Sequence, residues 1–351
     1  MAPPSAGTPA HHDDPIIQHL RAAAPSHPAL VESVLPALLS CVADIAAALR
    51  TAHHVARAGS ANAFGDDQLN VDVLAEDAIR AALARCPAVA TASSEEDPVE
   101  RPAAPLAVAG EKPEPEQGQG CVPGEQYTVA FDPLDGSSII APNWTVGTII
   151  GIWQGKTALR QPPASKQVAA ILGVYGPRTT ALVALRVPGP DAEPVCLELG
   201  LDADGTRHLV RERVRLRPAS EVGTRYFAPA NLRVAAEDVR YMGLVTRFVE
   251  RRYTLRYSGG LVPDVVHGLV KGHGVYVSPV TAGSKAKLRR LYELYPVALV
   301  VECAGGKACS PADGSRILER ELEDLNETAG LVCGTAEDVD EAVAALVGNT
   351  A

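Results

Sequence analysis

Four long apolar segments follow one another between residues 127 and 187, and they constrain the fold more than any other feature of the chain. They read YTVAFD, WTVGTIIGIW, QVAAILGVYG and TTALVALRV, and turn residues separate them. Runs of this length that are rich in β-branched and aromatic residues and bounded by turns are typical of consecutive strands. The middle of the chain therefore predicts a β-sheet.

Helical patterns lie on both sides of this block. Apolar residues recur at helical spacing from Leu30 to Ala52 and from Val71 to Arg85, and a short strand, AVATAS, follows. Beyond about residue 220 the patterns alternate. The strands there read RYFAP, YTLRYS, GVYVS and VALVVECAG, and the helices cover Val239–Arg251, a segment from Pro263, Leu288–Leu294 and Ala336–Leu346. This mixture predicts a layered α/β architecture of two packed halves.

Two segments have the composition of irregular structure. Residues 1–27 are rich in Pro, Ala and Ser and predict a flexible N-terminal tail. Residues 97–125 contain six prolines with several glycines and glutamates, and predict a flexible surface insertion. The predicted organisation is an N-terminal half, 28–220, which carries the insertion, and a C-terminal half, 221–351.

The net charge and the cysteine content limit which partners and which kinds of site the chain can have. A formal net charge of −10 disfavours nucleic acid and anionic membranes. No apolar run is expected to reach the roughly 18 residues of a membrane span, and the N-terminus has no signal or transit pattern. Seven cysteines without a C-x-x-C motif argue against a disulfide framework or a zinc site. We expect a cytoplasmic protein that binds neither nucleic acid nor membrane.

Two aspartates stand at the end of the first strand, in FDPLDGSS. Pro133 keeps Asp132 extended, and the turn that follows brings the carboxylate of Asp135 to the same end of the strand. Like charges this close repel unless a cation lies between them. Gly-Ser-Ser then offers backbone N–H groups and hydroxyls, so the segment suits Mg²⁺ or Mn²⁺ and a phosphate. A turn without chemistry is the alternative.

Other acidic residues could complete such a site. Glu95 and Glu96 follow the strand AVATAS, and both can reach one point only if the chain bends there. A solvated acidic loop is the alternative. Asp66 and Asp72 lie before and at the start of a helix, where helix capping is the alternative.

Basic residues near these acids could bind a phosphorylated ligand. The densest basic cluster is SKAKLRR, residues 284–290, although Arg289 could simply pair with Glu293 on a helix face. Arg256 precedes a Ser-Gly-Gly turn and a helix, which indicates either an anion site or an ordinary connection. No P-loop, dinucleotide-binding or nucleophile-elbow motif is present in the sequence.

The ordered set of motifs resembles the magnesium-dependent sugar bisphosphatases, the family of fructose-1,6-bisphosphatase and sedoheptulose-1,7-bisphosphatase. The resemblance runs from about Ala61 to Gly306. It rests on GDDQLNVDVL, SSEED, FDPLDGSS, TVGTIIGIW, VYGPRTT, RYSGGLVPDV and KAKLRRLYE followed by VECAGGKA. It implies a layered α-β-α-β-α sandwich of the sugar phosphatase type. It also implies a phosphoric monoester hydrolase that uses Mg²⁺, or Mn²⁺ in its place.

The resemblance also implies roles for individual residues. The metal ligands would be Glu95, Glu96, Asp132, Asp135, Glu293 and the carbonyl of Leu134. The catalytic residues would be Asp66, which helps to position the attacking water, Asp72 and Glu96. The transferred phosphate would lie against Gly136, Ser137 and Ser138, and the sugar and retained phosphate against Asn231, Tyr257, Lys287 and Arg289. Arg256 would reach a neighbouring subunit's site, which implies a homodimer or homotetramer.

Within the family, the sedoheptulose branch resembles the chain more closely. Ile139 stands where the fructose branch usually has Asn, and that branch usually lacks Gly259-Gly260. The glycine turn and Val277, in place of a larger residue, would leave room for a longer sugar. The expected reaction is hydrolysis of the 1-phosphate of sedoheptulose 1,7-bisphosphate. The alternatives are a fructose-1,6-bisphosphatase, a dual-substrate enzyme, and a non-catalytic metabolite-binding protein of the same fold.

Overall fold

The computed structural model describes residues 15–61, 67–104, 125–188 and 193–348. Its helices are α1 (Pro15–Ala23), α2 (Leu35–Thr51), α3 (Asn70–Ala84), α4 (Ser137–Ile140), α5 (Pro163–Lys166), α6 (Val239–Glu250), α7 (Leu261–Lys271), α8 (Tyr295–Cys303) and α9 (Ala336–Val347). Turns of π-helix, Leu30–Val34 and Arg290–Leu294, lead directly into α2 and α8. Short 3₁₀ turns cover Ala219–Glu221, Leu232–Ala236 and Ile317–Glu319.

Most of the strands form two large sheets. The strands are β1 (Arg57–Ala61), β2 (Asp67–Leu69), β3 (Val89–Ser94), β4 (Arg101–Pro102), β5 (Tyr127–Asp135), β6 (Val146–Gln154), β7 (Gln167–Tyr175), β8 (Thr179–Leu185), β9 (Val195–Leu201), β10 (Arg207–Arg211), β11 (Tyr226–Pro229), β12 (Thr254–Leu255), β13 (Val275–Ser278), β14 (Lys307–Cys309) and β15 (Leu331–Gly334). One sheet has the order β10-β9-β8-β7-β6-β5-β3-β4, and the other β12-β11-β13-β15-β14. Strands β1 and β2 form a separate antiparallel pair.

Side chains on the two faces of the eight-stranded sheet enter different cores. Along β7, Ala169 and Ile171 belong to a core with α1, α2 and α3, whereas Ala170 and Leu172 belong to a second core with α7 and α8. Successive side chains of a strand point to opposite faces of the sheet, which explains this alternation. A third core joins the five-stranded sheet to α6 and α9. The order of layers is therefore α-β-α-β-α, which confirms the predicted fold class.

The segment VALVVECAG is helical, so its prediction as a strand is wrong. Most of it belongs to α8, which is buried between the two sheets. Tyr295 contacts Trp153 with 5.8 Å between ring centroids, and its carbonyl accepts a 2.8 Å hydrogen bond from the Gln167 amide. Because α8 is buried on nearly all sides, it has no polar stripe that would distinguish it from a buried strand.

Two regions predicted to be flexible contain ordered elements. Helix α1 buries Ile16, Ile17 and Leu20 in the first core, so the prediction of a tail is wrong from Pro15 onwards. A helix this short depends on such burial more than on intrinsic propensity, which is why composition alone misses it. In the insertion, β4 pairs with β3. Residues 1–14 and 105–124 lie outside the described residues.

Among the residues that the structure describes, one helix, Leu30–Thr51, is long and apolar enough to cross a membrane by length and composition. The expectation that no segment reaches this limit is therefore wrong. Most of this helix is buried inside the protein, with Leu35, Leu38 and Val42 fully inaccessible in the first core. Its apolar character is accounted for by packing against the sheet and α3.

Candidate active site

The parallel pairing of β3 and β5 brings two predicted ligands to one end of the sheet. Ser94 is in register with Phe131, and the Glu95 N–H donates to the Phe131 carbonyl at 3.0 Å. Glu95 and Asp132 thus follow directly after paired residues. The chain bends at once, because the N–H of Asp97 donates to Ser94 Oγ at 2.9 Å. This is the bend that the strand pattern required.

Glu293 completes a group of three carboxylates. It lies in the π-helical turn before α8, and its carboxylate accepts the backbone N–H of Arg289. One carboxylate oxygen from each of Glu95, Asp132 and Glu293 lies within 4.8 Å of the others. Asp132 and Glu293 are buried, and Glu95 is half-buried.

The electrostatics of this group favour a cation. Burial raises the pKa of Asp132 and of Glu293 well above their usual values, and the nearby charge of Glu95 raises both further. A divalent ion with a preference for oxygen ligands would relieve this repulsion. The donor set therefore fits a hard divalent metal ion, and metal ligation by Glu95, Asp132 and Glu293 stays a prediction.

Asp135 has a different set of contacts. Its two carboxylate oxygens accept the N–H groups of Leu261 and Val262, at 3.0 and 2.7 Å, where α7 begins. Burial raises its pKa to about 6. Leu134 is buried between the two aspartates and donates its N–H to Asp132 Oδ1 at 3.0 Å. Carboxylate oxygens have further lone pairs, so metal ligation by Asp135 and by the Leu134 carbonyl stays a prediction.

The Gly-Ser-Ser segment turns sharply away from the strand. Gly136 has φ of 104°, and a Cβ at this position would lie 3.0 Å from Val146 Cγ1. Only glycine combines this conformation with so little space. Ser137 and Ser138 begin the short helix α4 and are exposed, which leaves both hydroxyls accessible to a ligand.

Of the predicted catalytic acids, Asp72 lies in the first turn of α3. Asp72 Oδ2 accepts the Leu69 N–H at 2.8 Å, while its buried Oδ1 has no hydrogen-bond partner within the described part of the chain. Burial raises the pKa of Asp72 to about 6, and the nearby charge of Glu96 contributes. Asp72 therefore caps the helix and also lies near Glu96. Asp66 lies outside the described residues, and Glu96 as a metal ligand stays a prediction.

Of the two predicted phosphate-binding residues before α8, Arg289 lies beside the carboxylates. Arg289 is mostly buried, and its Nε lies 3.5 Å from Glu95 Oε1. Lys287, two residues earlier, is exposed. Arg289 thus borders the acidic group, and Lys287 remains accessible to an anion.

The remaining predicted substrate residues lie in the C-terminal half. The Asn231 amide donates to the Pro279 carbonyl at 2.8 Å, so it also fixes a neighbouring loop. Tyr257 is 44% exposed, and burial of the rest of its ring raises the pKa of its hydroxyl. The exposed Arg256 lies with its guanidinium 5.7 Å from the Tyr226 ring centroid.

Val277 does not leave room beside a sugar, so that expectation is wrong. Its side chain belongs to the third core, between the five-stranded sheet and α6, where Tyr241 donates its hydroxyl to the Val277 carbonyl at 3.2 Å. Val275 and Val277 share this face of β13, whereas Tyr276 between them belongs to the second core, so strand alternation decides the face.

Sequence reasoning missed two acidic residues beside the site. Glu76 is one helical turn after Asp72 and accepts the Ser94 hydroxyl at 2.9 Å. The spacing of the two residues on α3 is the signal that could have indicated it. Asp264 accepts the N–H of Ser258 at 2.6 Å and that of Gly259 at 3.2 Å, so it holds the glycine turn.

Comparison with known proteins agrees with this geometry. The family model described as fructose-1-6-bisphosphatase, N-terminal domain, matches residues 16–192, and that described as fructose-1-6-bisphosphatase, C-terminal domain, matches residues 221–347. The chain belongs to the fructose-1-6-bisphosphatase family. This confirms the resemblance seen in the sequence. The predicted phosphoric monoester hydrolase is confirmed as well, since members of this family hydrolyse sugar bisphosphates.

Relatives from both branches of the family are similar to the chain. The chloroplastic sedoheptulose-1,7-bisphosphatase of Spinacia oleracea is 34% identical over 310 residues, which cover 86% of this chain and 71% of the relative. A class 1 fructose-1,6-bisphosphatase of Syntrophotalea carbinolica is 34% identical over 288 residues, covering 81% and 79%. A crystal structure from Toxoplasma gondii, assigned as a sedoheptulose-1,7 bisphosphatase, superposes with a TM-score of 0.81 at 33% identity, covering 94% and 98%. The family is metal-dependent.

Proposed function

We propose that this chain hydrolyses the 1-phosphate of sedoheptulose 1,7-bisphosphate in a Mg²⁺-dependent reaction and releases sedoheptulose 7-phosphate and phosphate. The observation that carries the proposal is the group formed by Glu95, Asp132 and Glu293 beside the Gly-Ser-Ser turn. A bound Mg²⁺, or Mn²⁺ in its place, neutralises phosphoryl oxygens and lowers the pKa of water. Carboxylate oxygens suit both ions.

Side chains and backbone groups of the chain have the remaining catalytic roles. Backbone N–H groups and hydroxyls at Ser137 and Ser138 donate hydrogen bonds to the oxygens of the transferred phosphoryl group. Asp72 or Glu96 accepts the one proton that the attacking water loses, and a pKa of about 6 suits Asp72 to this role at neutral pH.

The far end of the substrate would meet the C-terminal half. Lys287 and Arg289 bind the retained phosphate, and Asn231 and Tyr257 contact the sugar. Arg256 is exposed at the end of β12, where it can reach a second subunit. We therefore propose a homodimer or homotetramer that works in the cytoplasm. Size-exclusion chromatography with light scattering, on the wild type and on Arg256→Ala, tests the assembly.

The preference between sugars rests on the departures from the fructose branch at Ile139 and Gly259-Gly260. A fructose-1,6-bisphosphatase or a dual-substrate enzyme is the second candidate, because class 1 fructose-1,6-bisphosphatases are 33–34% identical to the chain, against 34–38% for the sedoheptulose enzymes. A site that hydrogen-bonds the extra hydroxyl would discriminate against the shorter sugar. We expect kcat/KM to be at least about tenfold higher for the sedoheptulose ester, roughly 1.4 kcal/mol.

Steady-state phosphate release on both pure bisphosphates tests the proposal. Each substrate is assayed with Mg²⁺, with Mn²⁺ and with a chelator, and Glu293→Gln is the control for contaminating phosphatase. Equal kcat/KM values for the two esters, or a higher value for the fructose ester, would move the assignment to the second candidate. Absence of cation-dependent release from either ester would instead favour a metabolite-binding protein.

A further inference from the structure

Ile139 lies in contact with the glycine turn of the opposite half. It is the third residue of α4, and it is buried. A Cβ on Gly259 would lie 3.4 Å from Ile139 Cγ2, and a Cβ on Gly260 would lie 3.1 Å from Ile139 Cδ1. The Ile139 side chain thus occupies the space beside Gly260, whereas Gly259 stays exposed. The expectation that the turn leaves room for a longer sugar is therefore wrong at Gly260.

This contact belongs to a continuous seam between residues 135–147 and 258–264. On one side of Ile139, Asp135 accepts the first two N–H groups of α7. Nearby, a Cβ on Gly147 would lie 2.5 Å from Val262 Cβ, so strand β6 and α7 approach closely. The hydrogen bonds to Asp135 and the approach of Gly147 to Val262 leave the glycine turn little freedom to shift. Within this seam, Ile139 is the apolar side chain that lies against both Gly259 and Gly260.

The sequence neighbours of this contact are predicted substrate groups on both sides. Ile139 directly follows Ser137 and Ser138, which would hold the transferred phosphoryl group. The two glycines follow Arg256 and Tyr257 within four residues. A displacement at Ile139 would therefore change the spacing between the two ends of the site.

We propose that Ile139 is a positioning residue, which sets the distance between the phosphoryl-binding turn and the sugar-binding segment. This inference rests on the proposed phosphatase function. A β-branched side chain has few rotamers, and a glycine backbone allows the closest approach, so the contact is stiff. Misplacement of a reacting group by about 1 Å can lower the catalytic rate by up to about 10²-fold.

Ile139→Ala tests the proposal against a matched control. Ile140→Ala removes the same atoms from the next residue, which is half-buried against the first core and borders Leu49 and Trp144. We expect Ile139→Ala to lower kcat about tenfold and to change KM less than about threefold, because each half still binds its own end of the substrate. Ile140→Ala should change kcat less than about twofold. It should also lose less thermal stability than Ile139→Ala, because Ile140 is only half-buried. Ile139→Val should recover part of the lost kcat.

Equal kinetic effects of the two alanine variants would overturn the proposal, since they would show a general response to lost packing. A change in KM alone, with kcat unchanged, would also overturn the proposal.

A double-mutant cycle in denaturation midpoint separates this inference from the proposed function. Gly260→Ala places a Cβ 3.1 Å from Ile139 Cδ1 and 2.9 Å from Pro263 Cγ, and Ile139→Val removes the first of these contacts. Gly260→Ala should therefore lower the midpoint less in the Ile139→Val background than in the wild type. Additive shifts would show that the contact does not exist. If the cycle is non-additive but the wild type releases no phosphate, the seam is upheld and the positioning role falls with the proposed function.

Discussion

Neutralising Asp132 should stabilise the metal-free protein and abolish its response to divalent cations. Two carboxylates lie within 4.8 Å of Asp132. With an effective dielectric constant of about 20, each fully ionised pair at that distance costs about 3.5 kcal/mol. Proton uptake reduces the cost, because the pKa of Asp132 is raised well above its usual value. The guanidinium of Arg289, which lies beside Glu95, offsets another part of this repulsion. We expect Asp132→Asn to gain about 2 kcal/mol at about pH 8 in the presence of a chelator.

The pH dependence follows from the direction of the pKa shift. A carboxyl group whose pKa is higher in the folded than in the unfolded state favours folding below its unfolded pKa. That contribution is lost as the pH rises through the folded pKa. Across an assay range of about pH 4 to about pH 8, the metal-free wild type should therefore become less stable as the pH rises. Asp132→Asn should lose less, and the two proteins should converge at the acidic end.

Urea denaturation with a chelator and with Mg²⁺ or Mn²⁺, at both ends of this range, is the assay. Asp338→Asn is the matched control, because Asp338 is equally buried but accepts the Tyr253 hydroxyl at 2.8 Å in the C-terminal half. It should lose stability with and without the cation. If Asp132→Asn were less stable than the wild type in chelator, or still gained stability from the cation, the repulsion argument would be refuted.

Three further predictions concern single residues. Asp135→Asn should destabilise the protein by about 1–3 kcal/mol in urea denaturation, because an amide NH₂ would face the N–H of Leu261 or Val262; an unchanged midpoint would contradict the two hydrogen bonds. Gly147→Ala should cost about 1–3 kcal/mol or more, since its Cβ would lie 2.5 Å from Val262 Cβ; a wild-type melting temperature would show that the halves are not in close contact. Asp72→Asn should lower kcat by about 10²-fold at saturating cation, and the acidic limb of the pH–rate profile near pH 6 should disappear; retention of that limb would assign it to another group.

Some parts of the fold could be predicted from the sequence because neighbours along the chain determine them. The strands from Tyr127 to Leu185 and the helices α2 and α3 have clear periodicity. The turn expected directly after Pro133 begins only at Gly136, because β5 continues through Asp135 with an irregular register against β6. The strand assignment of VALVVECAG failed for the opposite reason. Its surroundings lie far away in sequence, and burial between two sheets removed the polar positions that define a helical pattern.

The division of roles between Asp132 and Asp135 was decided by tertiary structure. In sequence the two aspartates are equivalent candidates, three residues apart. The parallel register of β3 and β5 places Glu95 beside Asp132, and the turn before α8 brings Glu293 to the same point. Asp135 instead receives the N–H groups of α7, more than a hundred residues later in the chain. Local residue types thus determined which groups could bind a cation. Strand register and helix docking determined which of them meet, because both depend on contacts between distant segments.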